Sequence, residues 1–132
     1  MIRNFLRVLL VLWAGSLWSV ALWVAPTLFY AQGDRRLAGF LAGRLFAIET
    51  YVGLAVMALA LLLPGRTRLL WGYLAAALLA INEWVLRRVM TAAHAHGAVA
   101  GLSFGAWHGV SALLYVLACI AVLRLIWNED FR

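Results

Sequence analysis

The chain has 132 residues, 67% hydrophobic and 12% charged, against roughly 45–50% and 25% for a soluble domain. That balance excludes a soluble globular protein, and at about 20 apolar residues per helical span four spans leave length only for short loops and tails. The net charge of +6 sets eleven arginines against five acidic residues; the arginines stand in pairs at the ends of apolar runs, where they snorkel to headgroups, rather than on the one solvated face that nucleic acid would require.

The first apolar run covers about 5–31 and opens with Arg3 and Arg7 ahead of Leu-rich sequence. It is longer than the 7–15-residue apolar stretch of a signal peptide, so it is expected to be a retained span. Pro26 falls near its end, where loss of a backbone donor is best tolerated, and Gly33-Asp34-Arg35-Arg36 turns the chain. The second run, about 37–63, carries Arg44 and Glu49 and stops at Pro64-Gly65-Arg66. The third, about 69–87, ends in Asn82, Glu83, Arg87 and Arg88, and the fourth, about 101–127, contains His108. Residues 1–132 are therefore expected to form one all-α integral membrane domain, a bundle of four transmembrane helices.

Four spans place both termini on one side. Arg3, Arg7, Arg66, Arg68, Arg124 and Arg132 then share that side, while Arg35, Arg36, Arg87 and Arg88 lie on the other. The positive-inside rule favours cytoplasmic termini, and a bacterial inner-membrane location is expected. Gly97, Gly101, Gly105 and Gly109 recur every four residues, and Gly39 and Gly43 repeat the spacing in the second run. Small residues so spaced let helix backbones approach closely, either within one bundle or across a dimer seam. Cys119, the single cysteine, lies in an apolar run and reads as a small packing residue.

Ionisable residues inside spans are costly and usually face the bundle interior or a wet cavity. At about 1.5 Å rise per residue, Arg44 lies roughly 10 Å and Glu49 roughly 18 Å into the second span, and Asn82, Glu83 and His108 share that half of the bilayer. The shared depth predicts one polar constellation between helices, comprising Arg44, Glu49, Asn82, Glu83, Arg87, His108 and Ser111. Glu83 and Arg87 are spaced to pair along one helix face, with Arg44 as a cross-helix partner of Glu83. The constellation is either a proton or cation relay from Glu49 through His108 or a hydrogen-bonded network that fixes helix register. His94 and His96, placed in an extended loop before the fourth span, could join His108 as three nitrogens for copper, zinc or haem iron. Alternatively, they are simply solvated.

Leu22-Trp23-Val24 with Leu28-Phe29, Gly43-Arg44-Leu45-Phe46 followed by Tyr51, Ile81-Asn82-Glu83-Trp84, and Trp107-His108-Gly109-Val110-Ser111-Ala112-Leu113 together resemble the transmembrane protein 205-like family, small four-helix membrane proteins of unknown function. The resemblance touches all four runs and implies four helices, with weight on Asn82 and His108, but no settled activity. A more distant likeness to four-helix membrane units linked to copper resistance and haem chemistry is one of fold only. The expected function is non-enzymatic: binding of a cation, metal or haem-type cofactor at an outer-leaflet polar cluster. The alternative is an assembly or scaffold protein in which that cluster only fixes packing. The expected partners are the lipid bilayer and a second copy or another membrane protein.

Overall fold

The computed structural model describes residues 2–62 and 69–128. Four helical rods dominate them. The first joins α1 (Ile2–Ser19) to α2 (Ala25–Ala31) through a π-helical turn at Val20–Val24. There the Ala25 N–H reaches back five residues to the Val20 carbonyl, just ahead of Pro26, which has no N–H to return to the preceding turn. The second rod is α3 (Arg35–Leu61), started by Asp34, whose Oδ1 accepts from the Arg36 and Leu37 N–H groups at 2.8 and 3.4 Å. Such a cap is worth about 1 kcal/mol.

The third rod joins α4 (Leu70–Ile81) to α5 (Arg87–His96) through a second π-helical turn, Asn82–Leu86. A two-stranded hairpin, β1 (Ala98–Val99) and β2 (Leu102–Ser103), leads into the fourth rod, α6 (Phe104–Trp127). Ala98 faces Ser103 and Val99 faces Leu102. The two turn residues, Ala100 and Gly101, both have positive φ (51° and 77°), as a tight hairpin that follows the strand twist requires. Gly97 closes α5 at φ +88°, and the Ser103 hydroxyl caps α6 through the Ala106 N–H.

Buried positions follow a 3–4 alternation along each rod: Leu6, Leu10, Trp13, Leu17 and Val20 on the first; Tyr115, Ala118, Val122 and Leu125 on the fourth; Gly72, Leu79, Leu86 and Ala93, seven apart, on the third. The alternation gives each rod a single seam, the pattern of helices packed close to antiparallel. α4 packs most extensively on α6, α3 on α1 and α4, and α1 closes against α6. Large side chains meet small ones at the crossings. The Trp13 indole, 1% exposed, lies so close over Gly53 that a Cβ there would overlap the ring. Met57 and Leu125 crowd Gly72, where a Cβ would stand 2.8 Å from Met57 Sδ and 3.0 Å from Leu125 Cδ2.

The outer surface is apolar: Leu12, Trp23, Phe40, Leu70, Leu113 and many other large hydrophobics are exposed. Such a surface on a monomer needs an apolar surround. Asn4–Ala31, Arg35–Leu61 and Phe104–Trp127 are each long and apolar enough to cross a membrane. The third rod, expected as a span over 69–87, is not among them. Its helix continues past the expected end to His96, and Asn82, Glu83, Arg87 and Arg88 reduce its apolarity. The expected stop at Pro64-Gly65-Arg66, with Arg68 and Arg132 of the charge count, lies outside the described residues.

Candidate functional site

The residues expected to form one polar constellation occupy separate places. Deepest is Glu49, 7% exposed on α3. Its Oε2 lies 2.9 Å from Ser16 Oγ of α1, which is also 2.9 Å from the Trp13 carbonyl. Tyr115 and Cys119 of α6 are both buried. The Tyr115 hydroxyl donates to the Leu17 carbonyl of α1 at 3.1 Å, and its ring packs on Phe46 of α3 with centroids 4.6 Å apart. One small polar node thus ties α1, α3 and α6 together.

A second node lies between the third and fourth rods. Ser111 Oγ donates to Asn82 Oδ1 at 2.6 Å, while Asn82 Nδ2 donates to the Ser111 carbonyl at 3.2 Å. The exchange is reciprocal: one amide side chain meets both the hydroxyl and the carbonyl of a single residue. Asn82 also opens the π-helical turn, and its own carbonyl accepts from the Arg87 N–H. A π turn lets the rod keep its backbone bonds while re-aiming a side chain.

Glu83 pairs with Arg87 along its own rod, as the four-residue spacing predicts. The expected cross-helix partner does not join them: Arg44 is exposed on α3, and no ion pair links it to Glu83. His108 is exposed on α6 and stacks on Phe104 (centroids 6.1 Å apart, planes at 21°), while Glu49 meets Ser16 of α1. The relay from Glu49 through His108 therefore has no direct link.

The three histidines also diverge. His94 and His96 lie in the last turn of α5, not in an extended loop. Two residues apart on a helix is about 200° of rotation, so the imidazoles point to nearly opposite sides. His94 meets the edge of Phe104 with centroids 5.3 Å apart, which puts that phenyl ring in contact with both His94 and His108. His96 lines a shallow groove on α5 with Arg87, Arg88, Thr91, Ala92 and Ala95. Among the described residues no three His, Cys, Asp or Glu side chains gather as a metal site would require.

The regular glycines are not where the backbones meet. A Cβ at Gly43, Gly97 or Gly109 would have no neighbour within 4 Å, and at Gly39 and Gly105 the nearest atom is 3.9 Å away. Gly97 and Gly101 lie outside α6, where their positive φ serves the helix end and the hairpin. Spacing did not mark Gly53 and Gly72 as contact positions, since each stands alone. Ser16 and Tyr115 also went unmarked, although Ser16 is a rare polar residue in the long apolar stretch between Arg7 and Gln32.

Long apolar helices, an apolar exterior and polar side chains turned inward define a helical membrane protein. The chain matches the model of a domain of unknown function, DUF4149, over residues 8–99, and it belongs to that family. The matched stretch runs from α1 to β1 and includes Ser16, Glu49 and Asn82, while Ser111 and His108 lie beyond it. No curated protein and no solved structure matches the chain.

Proposed function

We propose that this chain is a four-span, non-enzymatic protein of the bacterial inner membrane that serves as a structural or assembly component. Its interior polar residues hold the helices in register, and its exposed faces meet a membrane partner or a second copy. The observation that carries this reading is how the intramembrane polar groups engage one another: Ser16 with Glu49, Ser111 with Asn82, and Tyr115 with the Leu17 carbonyl. Each contact joins two different rods, as interhelical hydrogen bonds do in membrane bundles. A cation or cofactor site would instead offer converging donors with positions to spare.

The third rod is the fourth crossing on this account. Leu70–Leu86 would cover about 25 Å at helical rise, and the reciprocal bonds of Asn82 lower the cost of placing its amide in lipid. The Gln32–Asp34 turn and the hairpin then face the periplasm and both termini the cytoplasm, in line with the arginine bias. The resemblance to the transmembrane protein 205-like family fits the same architecture.

Elemental analysis and an absorption spectrum of the detergent-purified protein, beside a double variant Asn82→Ala/His108→Ala, test the reading. The expected result is no stoichiometric metal and no Soret band in either protein, with lower thermal stability in the variant. A metal or haem band present in the native protein and lost in the variant would overturn it in favour of a cofactor site.

A further inference from the structure

Glu49 has a neighbourhood suited to a neutral acid. Ser16 Oγ stands 2.9 Å from Glu49 Oε2 and 2.9 Å from the Trp13 carbonyl, two oxygens that both accept hydrogen bonds when the carboxyl is ionised. A hydroxyl has one hydrogen to give and lone pairs to receive. Both short contacts are full two-centre hydrogen bonds at once when Glu49 itself supplies a proton: Oε2–H donates to Ser16 Oγ, and Ser16 O–H donates to Trp13 O. From this geometry we propose that Glu49 is a proton-binding site inside the membrane, holding its proton as the donor to Ser16 and open to attack by an apolar carbodiimide.

The elements packed against α3 agree, and the titratable group of α2, Tyr30, is exposed. α1 offers the Ser16 hydroxyl, and α6 offers the buried Tyr115, whose hydroxyl is engaged by the Leu17 carbonyl, and the buried Cys119. α4 meets α3 around Gly72 and Met57, two turns from Glu49, and its titratable group is Tyr73. The π turn after α4 meets α3 at Tyr51, where Trp84 packs, and its Glu83 is already paired with Arg87. On α3 itself Arg44 is exposed. When the proton leaves, the Ser16 hydrogen swings from Trp13 O to Oε2, and no heavy atom need move. Glu49 keeps 7% of its surface accessible, an opening for a reagent dissolved in the apolar phase.

Dicyclohexylcarbodiimide tests this directly. The carboxyl proton passes to one carbodiimide nitrogen, the carboxylate oxygen bonds to the central carbon, and an oxygen-to-nitrogen acyl shift leaves a stable N-acylurea with nothing expelled. Full-length protein in detergent or proteoliposomes, treated at neutral pH and mapped by peptide mass spectrometry, is expected to carry one reagent mass on Glu49. Labelling should fall as the pH is raised and be absent from Glu49→Gln. Infrared spectroscopy of the native protein supplies a readout that needs no variant: a protonated-carboxyl C=O band at neutral pH, lost in Glu49→Gln and shifted in Ser16→Ala. Recovery of the Glu49 peptide unlabelled, or a native spectrum without a protonated-carboxyl band, would overturn the proposal. A band unmoved in Ser16→Ala would overturn the hydrogen-bond chain on which it rests. Either failure leaves the structural reading of the protein standing.

Discussion

The glycines of the core and those of the hairpin end respond to opposite demands. Gly53 and Gly72 are isolated in sequence, yet each lies under a large side chain from a neighbouring rod, Trp13 in one case and Met57 with Leu125 in the other. Gly97, Gly101, Gly105 and Gly109 form a regular series, yet they touch little: the first two turn the chain at positive φ, and on α6 Gly105 has only Ser103 at 3.9 Å while Gly109 faces open space. Lipid tails are as apolar as leucine, so helix association in a bilayer depends on van der Waals fit rather than on removal of water. Fit is set by which large side chain arrives from across the seam. Spacing along one helix does not carry that information.

Substitutions can break this contrast, starting with the largest effect. Gly53→Ala drives a methyl into the Trp13 indole, a rigid group enclosed on all sides, and is expected to cost about 3 kcal/mol. Denaturant unfolding in detergent, followed by circular dichroism, should show it as a large drop in midpoint. Gly72→Ala meets the flexible end of Met57, which can re-pack, so a smaller loss of about 1–2 kcal/mol is expected in the same assay. If the two variants were equally stable, the difference between a rigid and a yielding neighbour would be lost.

Backbone demand makes a third step. Gly97→Ala has open space around it but keeps the left-handed conformation, for a cost of about 1 kcal/mol. Gly109→Ala has open space and a helical backbone, so the monomer should be unchanged or gain up to about 1 kcal/mol. Analytical ultracentrifugation of Gly109→Ala sharpens the point: an unaltered oligomeric state leaves this face without a close partner, and dissociation would make it the seam between copies.

Much of the helical layout was legible from residues alone. Apolar run length predicts four spans, and three of the helices are long and apolar enough to cross a membrane; the Arg87–Glu83 pair follows from the four-residue spacing, whereas Asp34, read as part of a turn, also caps α3. Asn82 and Ser111, polar residues in apolar surroundings, meet each other. Depth along a helix says nothing about azimuth, however. Helical rise predicts one depth for Arg44, Glu49 and His108, but Arg44 and His108 are exposed and Glu49 is buried, so a shared depth did not become a shared site. His94 and His96 were misplaced because α5 continues past Arg87 and Arg88, and a helix separates residues that an extended loop would have aligned. Ala100 at positive φ gave no warning of the hairpin, since alanine rarely adopts that conformation.

The account stands or falls on whether interior polar residues pair across the rods. A double-mutant cycle on Asn82→Ala and Ser111→Ala, measured by unfolding in detergent, tests that claim most directly. Asn82→Ala should cost more than Ser111→Ala, which leaves the Ser111 carbonyl in place as an acceptor. The two should couple by about 0.6–1.7 kcal/mol, the span found for interhelical hydrogen bonds in membranes. Strictly additive losses would contradict the account, because the two side chains would then not be sharing a bond.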